Sequence, residues 1–231
     1  MIIEEFVVTM FEQNARLIGC EKTGRAICID PGANAPGIAS ALEERKLTLQ
    51  AICLTHAHMD HIGGVTELKK LRPAAEIILH AADEPLYTNV PEQLLWLGIP
   101  RSTWPFLGFS YETPPKVDRY WQDGEIYEVG TLAFKIIHTP GHTPGHVVLF
   151  EMNERKVFVG DCLFAGSIGR TDLPGGNAAQ LMDSLVNKIL PLGDDVAVYT
   201  GHGPTTVIGR ERQTNPFLTN SYTMENLGSR L

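Results

Sequence analysis

The sequence predicts an α/β layered domain, because short runs rich in Val, Ile and Phe alternate with helical patterns along all 231 residues. Turn signals such as Asp30-Pro31-Gly32 and Asn215-Pro216 separate the runs. A balance of 43% hydrophobic to 20% charged residues is that of a globular chain, and no run approaches the ~20 apolar residues of a membrane span. One domain, 1–231, is expected to bury its own core without a disulfide scaffold.

Taken in order, residues 6–11, 16–20 and 26–29 read as three strands, the last stopped at Asp30-Pro31-Gly32. Residues 35–46 read as a helix, and 49–54 as a nearly continuous apolar strand that runs into Thr55-His56-Ala57-His58-Met59-Asp60-His61. A helix over 65–71, a strand over 77–79 and a helix over 84–97 follow. Four prolines in 98–118 break any regular element there, and Trp104, Phe106, Phe109 and Tyr111 make the stretch aromatic, either stapling a loop to the body or forming a lid. Strands at 132–137, 147–150 and 156–159, a helix at 178–190 capped by Asn177, a strand at 196–200 and a helix at 207–214 complete the alternation.

The 27 acidic against 19 basic residues give a formal charge of -8, which argues against nucleic acid as a partner. Glu4 and Glu5 stand where a signal peptide would carry positive charge, so export is not expected. Cys20, Cys28, Cys53 and Cys162 form no Cys-x-x-Cys pair and read as buried free thiols, which points to a reducing compartment, the cytoplasm. Cys162 adjoins Asp161, yet strand alternation sends it to the opposite face, as a core thiol.

Three histidines and an aspartate within six residues, just beyond a buried strand, need polar partners or a metal. His56 and His58, two apart, share one side of an extended chain and can reach one ion. Asp60 and His61 come next, where Gly63-Gly64 allows a tight turn that aims them at a second ion. Other strand ends supply further donors: His142 in the turn-rich 138–146 stretch, Asp161 after Val159-Gly160, and His202 in Gly201-His202-Gly203-Pro204. Nothing in the spacing demands His138 or His146, which read as hydrogen-bonded supports, and His80 reads as a surface residue.

The set His56-Ala57-His58-Met59-Asp60-His61, Gly141-His142, Gly160-Asp161 and Gly201-His202, in this order, resembles the metallo-β-lactamase fold superfamily over nearly the whole chain. Residues 164–172 and Gly201-His202-Gly203-Pro204-Thr205 are most similar to its hydroxyacylglutathione hydrolase (glyoxalase II)-like branch. The resemblance implies a four-layer αββα sandwich with the site at one edge. It also implies that His56, His58 and His142 hold one metal, that Asp60, His61 and His202 hold a second, and that Asp161 bridges them. Two divalent ions are implied, zinc first, with iron or manganese as alternatives.

Two such ions outweigh the two carboxylates and a bridging hydroxide, so the pocket is expected to be cationic and to suit a small anionic acyl-thiol. Arg170, in the loop after Asp161, is expected either to face that substrate or to sit in a structural ion pair. Metal binding lowers the pKa of water from 15.7 toward ~7, so a metal-bound hydroxide oriented by Asp60 is expected to cleave a thioester. The chain after Pro216 offers only Arg230 as a basic residue, which weakens the case for glutathione as the thiol. The alternative is a persulfide dioxygenase with one iron on His56, His142 and Asp161; a non-catalytic metal-binding protein is the third class.

Overall fold

The computed structural model describes residues 1–100, 102–103 and 113–219. The first sheet runs in the order β1 (Ile2–Val8), β2 (Gln13–Gly19), β3 (Arg25–Ile29), β4 (Thr48–Cys53), β5 (Glu76–Leu79), β6 (Arg119–Tyr120). Strands β3 to β6 are parallel, and each of their three crossovers contains helix, with α1 (Ala35–Glu44) in the first and α3 (Val65–Leu71) in the second. The second sheet joins β7 (Ile126–Val129), β8 (Leu132–His138), β9 (Val147–Glu151), β10 (Lys156–Gly160), β13 (Ala197–Thr200) and β14 (Thr206–Val207) in the order β14-β13-β10-β9-β8-β7. A short hairpin, β11 (Leu163–Phe164) with β12 (Ser167–Ile168), projects between β10 and β13 in sequence.

Period-2 alternation sorts the side chains into three cores, and three cores make four layers. Between the sheets lie Ile18, Ile27, Ile29, Ala51 and Cys53 from one side and Phe134, Ile136, Leu149 and Phe158 from the other. Leu17, Cys28, Ile52 and Ile77 face outward onto Ile38, Leu42 and Leu68 of the helices. Val148, Val157 and Val159 face outward on the opposite side, against Leu181 and Leu185. A register shift at Gln50 puts Leu49 on the same face as Ile52, which explains why this strand reads as continuously apolar. The expected αββα sandwich is therefore the observed architecture.

Several boundaries differ from the sequence-based expectation. The first strand starts at Ile2, because residues 9–12 form a turn with positive φ at Thr9 and Glu12. Strand β2 starts at Gln13, earlier than expected, since its first residues Gln13, Asn14 and Arg16 are polar yet fully buried. The helix expected over 84–97 is two, α4 (Glu84–Thr88) and α5 (Val90–Trp96), separated at Asn89 just ahead of Pro91. Helix α6 (Ala178–Ser184) is capped by Asn177, whose side chain accepts the Gln180 N–H, and then loosens into a π turn and a 3-10 turn around Pro191. The four thiols are free and buried, and Cys162 lies in the core as expected. Among the described residues no helix is long and apolar enough to cross a membrane. Trp104, Phe106, Phe109 and Tyr111 lie outside the described residues.

Candidate metal centre

The two sheets meet at one edge where Gln13 bridges His202 and the Asn14 N–H donates to Gly201 O at 2.8 Å. There the ends of β4, β8, β10 and β13 bring all seven predicted donors together. His56 leaves β4, and His58 is still extended (φ -69, ψ 146) before the single turn α2 (Met59–Ile62) begins and carries Asp60 and His61. Gly63 and Gly64 are both right-handed, so the turn does not need their freedom. Gly64 is required for another reason: a Cβ there would collide with the Pro31 carbonyl, which its N–H binds at 2.7 Å.

Each inward-facing nitrogen is fixed by what the other nitrogen does. The Nδ1 of His56 binds Thr55 Oγ1 at 3.0 Å, that of His61 binds Asp30 Oδ2 at 3.0 Å, that of His142 donates to Arg170 O at 2.8 Å, and that of His202 donates to Phe11 O at 2.8 Å. This leaves the Nε2 atoms of four rings aimed at the centre. His58 is turned the other way, with Nδ1 2.9 Å from His142 Nε2. Asp161 lies between the two groups: one carboxylate oxygen is 3.6 Å from His142 Nε2 and 3.4 Å from His202 Nε2, the other 3.3 Å from His61 Nε2. Asp60 approaches His202 Nε2 at 3.2 Å.

These residues fit a pair of divalent ions. Donor atoms of His56, His58 and His142 all lie within 4.8 Å of one another, as do those of Asp60, His61 and His202. His56 Nε2 and Asp161 Oδ1 are buried with no hydrogen-bond partner, a costly state that coordination relieves. Asp30 also lies within ligand distance of His56 and His61, but its oxygens are occupied by the Thr55 N–H at 2.7 Å and the Thr55 hydroxyl at 2.6 Å as well as by His61. It orients donors; it does not complete the set.

Charge follows from burial and pairing. Burial pushes the His58 imidazole down to about 3, and burial with neighbouring rings holds His56 well below its usual range. His142 is also lowered by burial, against the pull of Asp161. Burial alone would lower His61 and His202, but Asp161 and Asp60 raise both, His202 to about 10. Burial alone would raise Asp161, yet His61 and His202 hold it well below the carboxylate range.

Residues outside the predicted set hold the donors in place. His146, expected as a support, accepts the Asp161 N–H on Nε2 at 3.1 Å while Nδ1 binds Thr139 Oγ1 at 2.8 Å. Asp83, which carried no sequence signal, accepts Ala57 N–H at 3.0 Å, Thr143 Oγ1 at 2.7 Å and Gly145 N–H at 2.6 Å, clamping two donor-bearing loops. Asp30 was legible only as part of a turn, although an aspartate ending a buried strand beside the donor-bearing strand is itself a signal. His138 donates to Pro144 O at 2.9 Å and stacks on His80, so His80 is more than a surface residue.

The centre opens into a cavity of about 250 Å³ lined by His58, Asp60, His142, Asp161 and His202 and by Phe11, Met59, Trp96, Leu97 and Leu173. Arg170 stands at its edge, with Nε and Nη2 each 2.7 Å from the Asp172 carboxylate.

A four-layer αββα framework with histidine and aspartate donors converging at one sheet edge defines a metallo-hydrolase class of fold and site. The chain belongs to the metallo-beta-lactamase superfamily, whose sequence pattern matches residues 8–202. It is 40% identical over 219 residues to the hydroxyacylglutathione hydrolase GloC of Haemophilus influenzae, covering 94% of this chain and 98% of that protein. Among solved structures, the BLEG-1 B3 metallo-beta-lactamase superposes with a TM-score of 0.82 at 35% identity, over 95% of this chain and 100% of the other. TTHA1623 in a di-iron-bound form gives 0.80 at 34% identity, over 93% and 100%.

Proposed function

We propose that this protein is a metal-dependent thioester hydrolase of the glyoxalase II type, with His56, His58 and His142 holding one divalent ion, Asp60, His61 and His202 a second, and Asp161 shared. The observation that carries this reading is the position of Asp161, whose carboxylate lies within 3.6 Å of His142 in one group and of both His61 and His202 in the other. The 40% identity to a hydroxyacylglutathione hydrolase supports the thioester. Two divalent ions bound there supply Lewis acidity and lower the pKa of a ligated water from 15.7 toward ~7. Asp60 lies at the cavity wall and orients the attacking water. Among the described lining residues none outside the donor cluster is a carboxylic acid or a histidine. That suits a thiolate leaving group, which departs without a proton from the protein. Arg170, at the solvent edge with its charge matched by Asp172, marks where the polar thiol carrier sits.

Metal analysis of protein purified without added metal, paired with thioester-cleavage and oxygen-electrode assays on lactoylglutathione and glutathione persulfide, tests this reading. The expected result is about two ions per chain, zinc first, with thioester cleavage and no oxygen uptake. A single iron with oxygen consumed on the persulfide would replace the hydrolase with a dioxygenase. Asp161→Ala is expected to lose most of the metal and, with it, activity by at least about a hundredfold.

A further inference from the structure

The cavity wall beyond the metal donors combines five apolar side chains, Phe11, Met59, Trp96, Leu97 and Leu173, with two polar ones, Gln93 and Arg170. Both polar members are committed elsewhere. Gln93 is buried; its Nε2 donates to Ala57 O at 2.8 Å and Leu86 O at 2.9 Å, and its Oε1 accepts the Met59 N–H at 2.9 Å. The Arg170 charge is matched by the two-pronged contact with Asp172. This wall therefore offers a substrate apolar area and no uncompensated charge. Its depth is graded as well. Met59 and Gln93 are 3% exposed at the inner end, Trp96 is 37% exposed nearer the mouth, and the Arg170 side chain, 51% exposed, marks the solvent edge.

Building on the hydrolase reading above, we propose that the inner wall takes an apolar acyl chain, with Trp96 and Leu173 setting its preferred length, while the polar thiol carrier stays at the Arg170 edge. A charged carrier loses its hydration against Phe11 and Trp96 without gaining a partner, so the orientation with the acyl chain inward is the favoured one. Among the described residues of that wall, a hydroxyl on the acyl chain meets no free side-chain donor or acceptor. The cavity, about 250 Å³, falls below the range of about 300–1,000 Å³ that drug-sized ligands occupy, which limits the chain to a few methylenes.

The test uses the metal-loaded full chain and thioesters of one uncharged thiol, N-acetylcysteamine, bearing acetyl, butyryl, hexanoyl or lactoyl groups. The expected kcat/KM rises from acetyl to hexanoyl by about fourfold per methylene, the hydrophobic increment for one buried CH2, with lactoyl below butyryl. Trp96→Ala flattens that slope, lowering hexanoyl more than acetyl, and Leu173→Ala acts in the same direction; Trp96→Phe restores most of the slope. A flat or falling series, or a preference for lactoyl over butyryl, overturns the apolar acyl wall and leaves the hydrolase intact. Failure to cleave any of these esters or lactoylglutathione at full metal loading brings down both.

Discussion

His146 shows how a residue outside the proposed donor set governs one inside it. Its Nε2 accepts the Asp161 N–H and its ring stacks on His56 at 5.2 Å, so it fixes where the Asp161 carboxylate starts. His146→Ala leaves that buried N–H unpaired at a cost of about 1–3 kcal/mol. Metal affinity is expected to fall about 10- to 100-fold, the usual penalty for losing an outer partner of a metal ligand. Chelator competition reads the affinity and urea unfolding the stability; unchanged metal affinity would make His146 a packing residue only. Gly201 acts at the same scale by being small, since a Cβ there would strike the Asp161 carboxylate. The sequence placed His146 among the supports because nothing in the motif spacing demands it as a donor. It said nothing of Thr139, whose hydroxyl sets the His146 tautomer through a contact of the kind that local pattern does not encode.

Among elements, the short turn Ala81–Asp83 has the largest effect for its size. It follows β5 and projects Asp83 between the loop bearing His56 and His58 and the loop bearing His142. Helix α5 repeats the device through Gln93, which clamps both faces of the backbone at Ala57 and Met59. Asp83→Ala strands three buried donors and is expected to cost roughly 3 kcal/mol or more. It should loosen the His56, His58 and His142 group more than the Asp60, His61 and His202 group, because only the former spans both clamped loops. Metal titration followed site by site with a cobalt spectrum checks this, and equal weakening of both groups would refute it. The breaks after Thr88 and Ser184 were not legible as boundaries because apolar periodicity persists across them, although Pro91 and Pro191 were present as warnings.

Over the whole molecule, buried imidazoles make the metal-free fold sensitive to pH in two opposite ways. His56, His58, His142 and His146 are held below their ordinary value of 6.5 by burial, so the unfolded chain binds more protons than the folded one as pH falls below about 6.5, and stability drops. His61 and His202 are raised by Asp161 and Asp60 against the effect of burial; their contribution is complete below 6.5 and is lost as pH rises, for His202 toward about 10. Chelator-treated protein should therefore melt highest near neutrality, and a melting temperature that rises steadily from pH 5 to 9 would contradict the assignment. The same raised pair means that an ion entering the Asp60, His61 and His202 group displaces protons. Calorimetry at pH 7 in two buffers of different ionisation heat should detect their release, and affinity should weaken as pH falls.

The sequence by itself determined the layered class and the strand-end placement of the seven residues read as donors, because each of them sits in a short dense motif beside an apolar strand whose period is local. It also set the buried state of Cys162 by alternation with Asp161. Only the tertiary structure decided that Asp30 reaches His61, that Asp83 joins Ala57 to Gly145, and that Arg170 spends its charge on Asp172 while walling an apolar cavity. Partners such as Asp30 and Asp83 lie tens of residues from the groups they hold, and their meeting depends on the register of two sheets and the face each side chain takes, which no local period specifies.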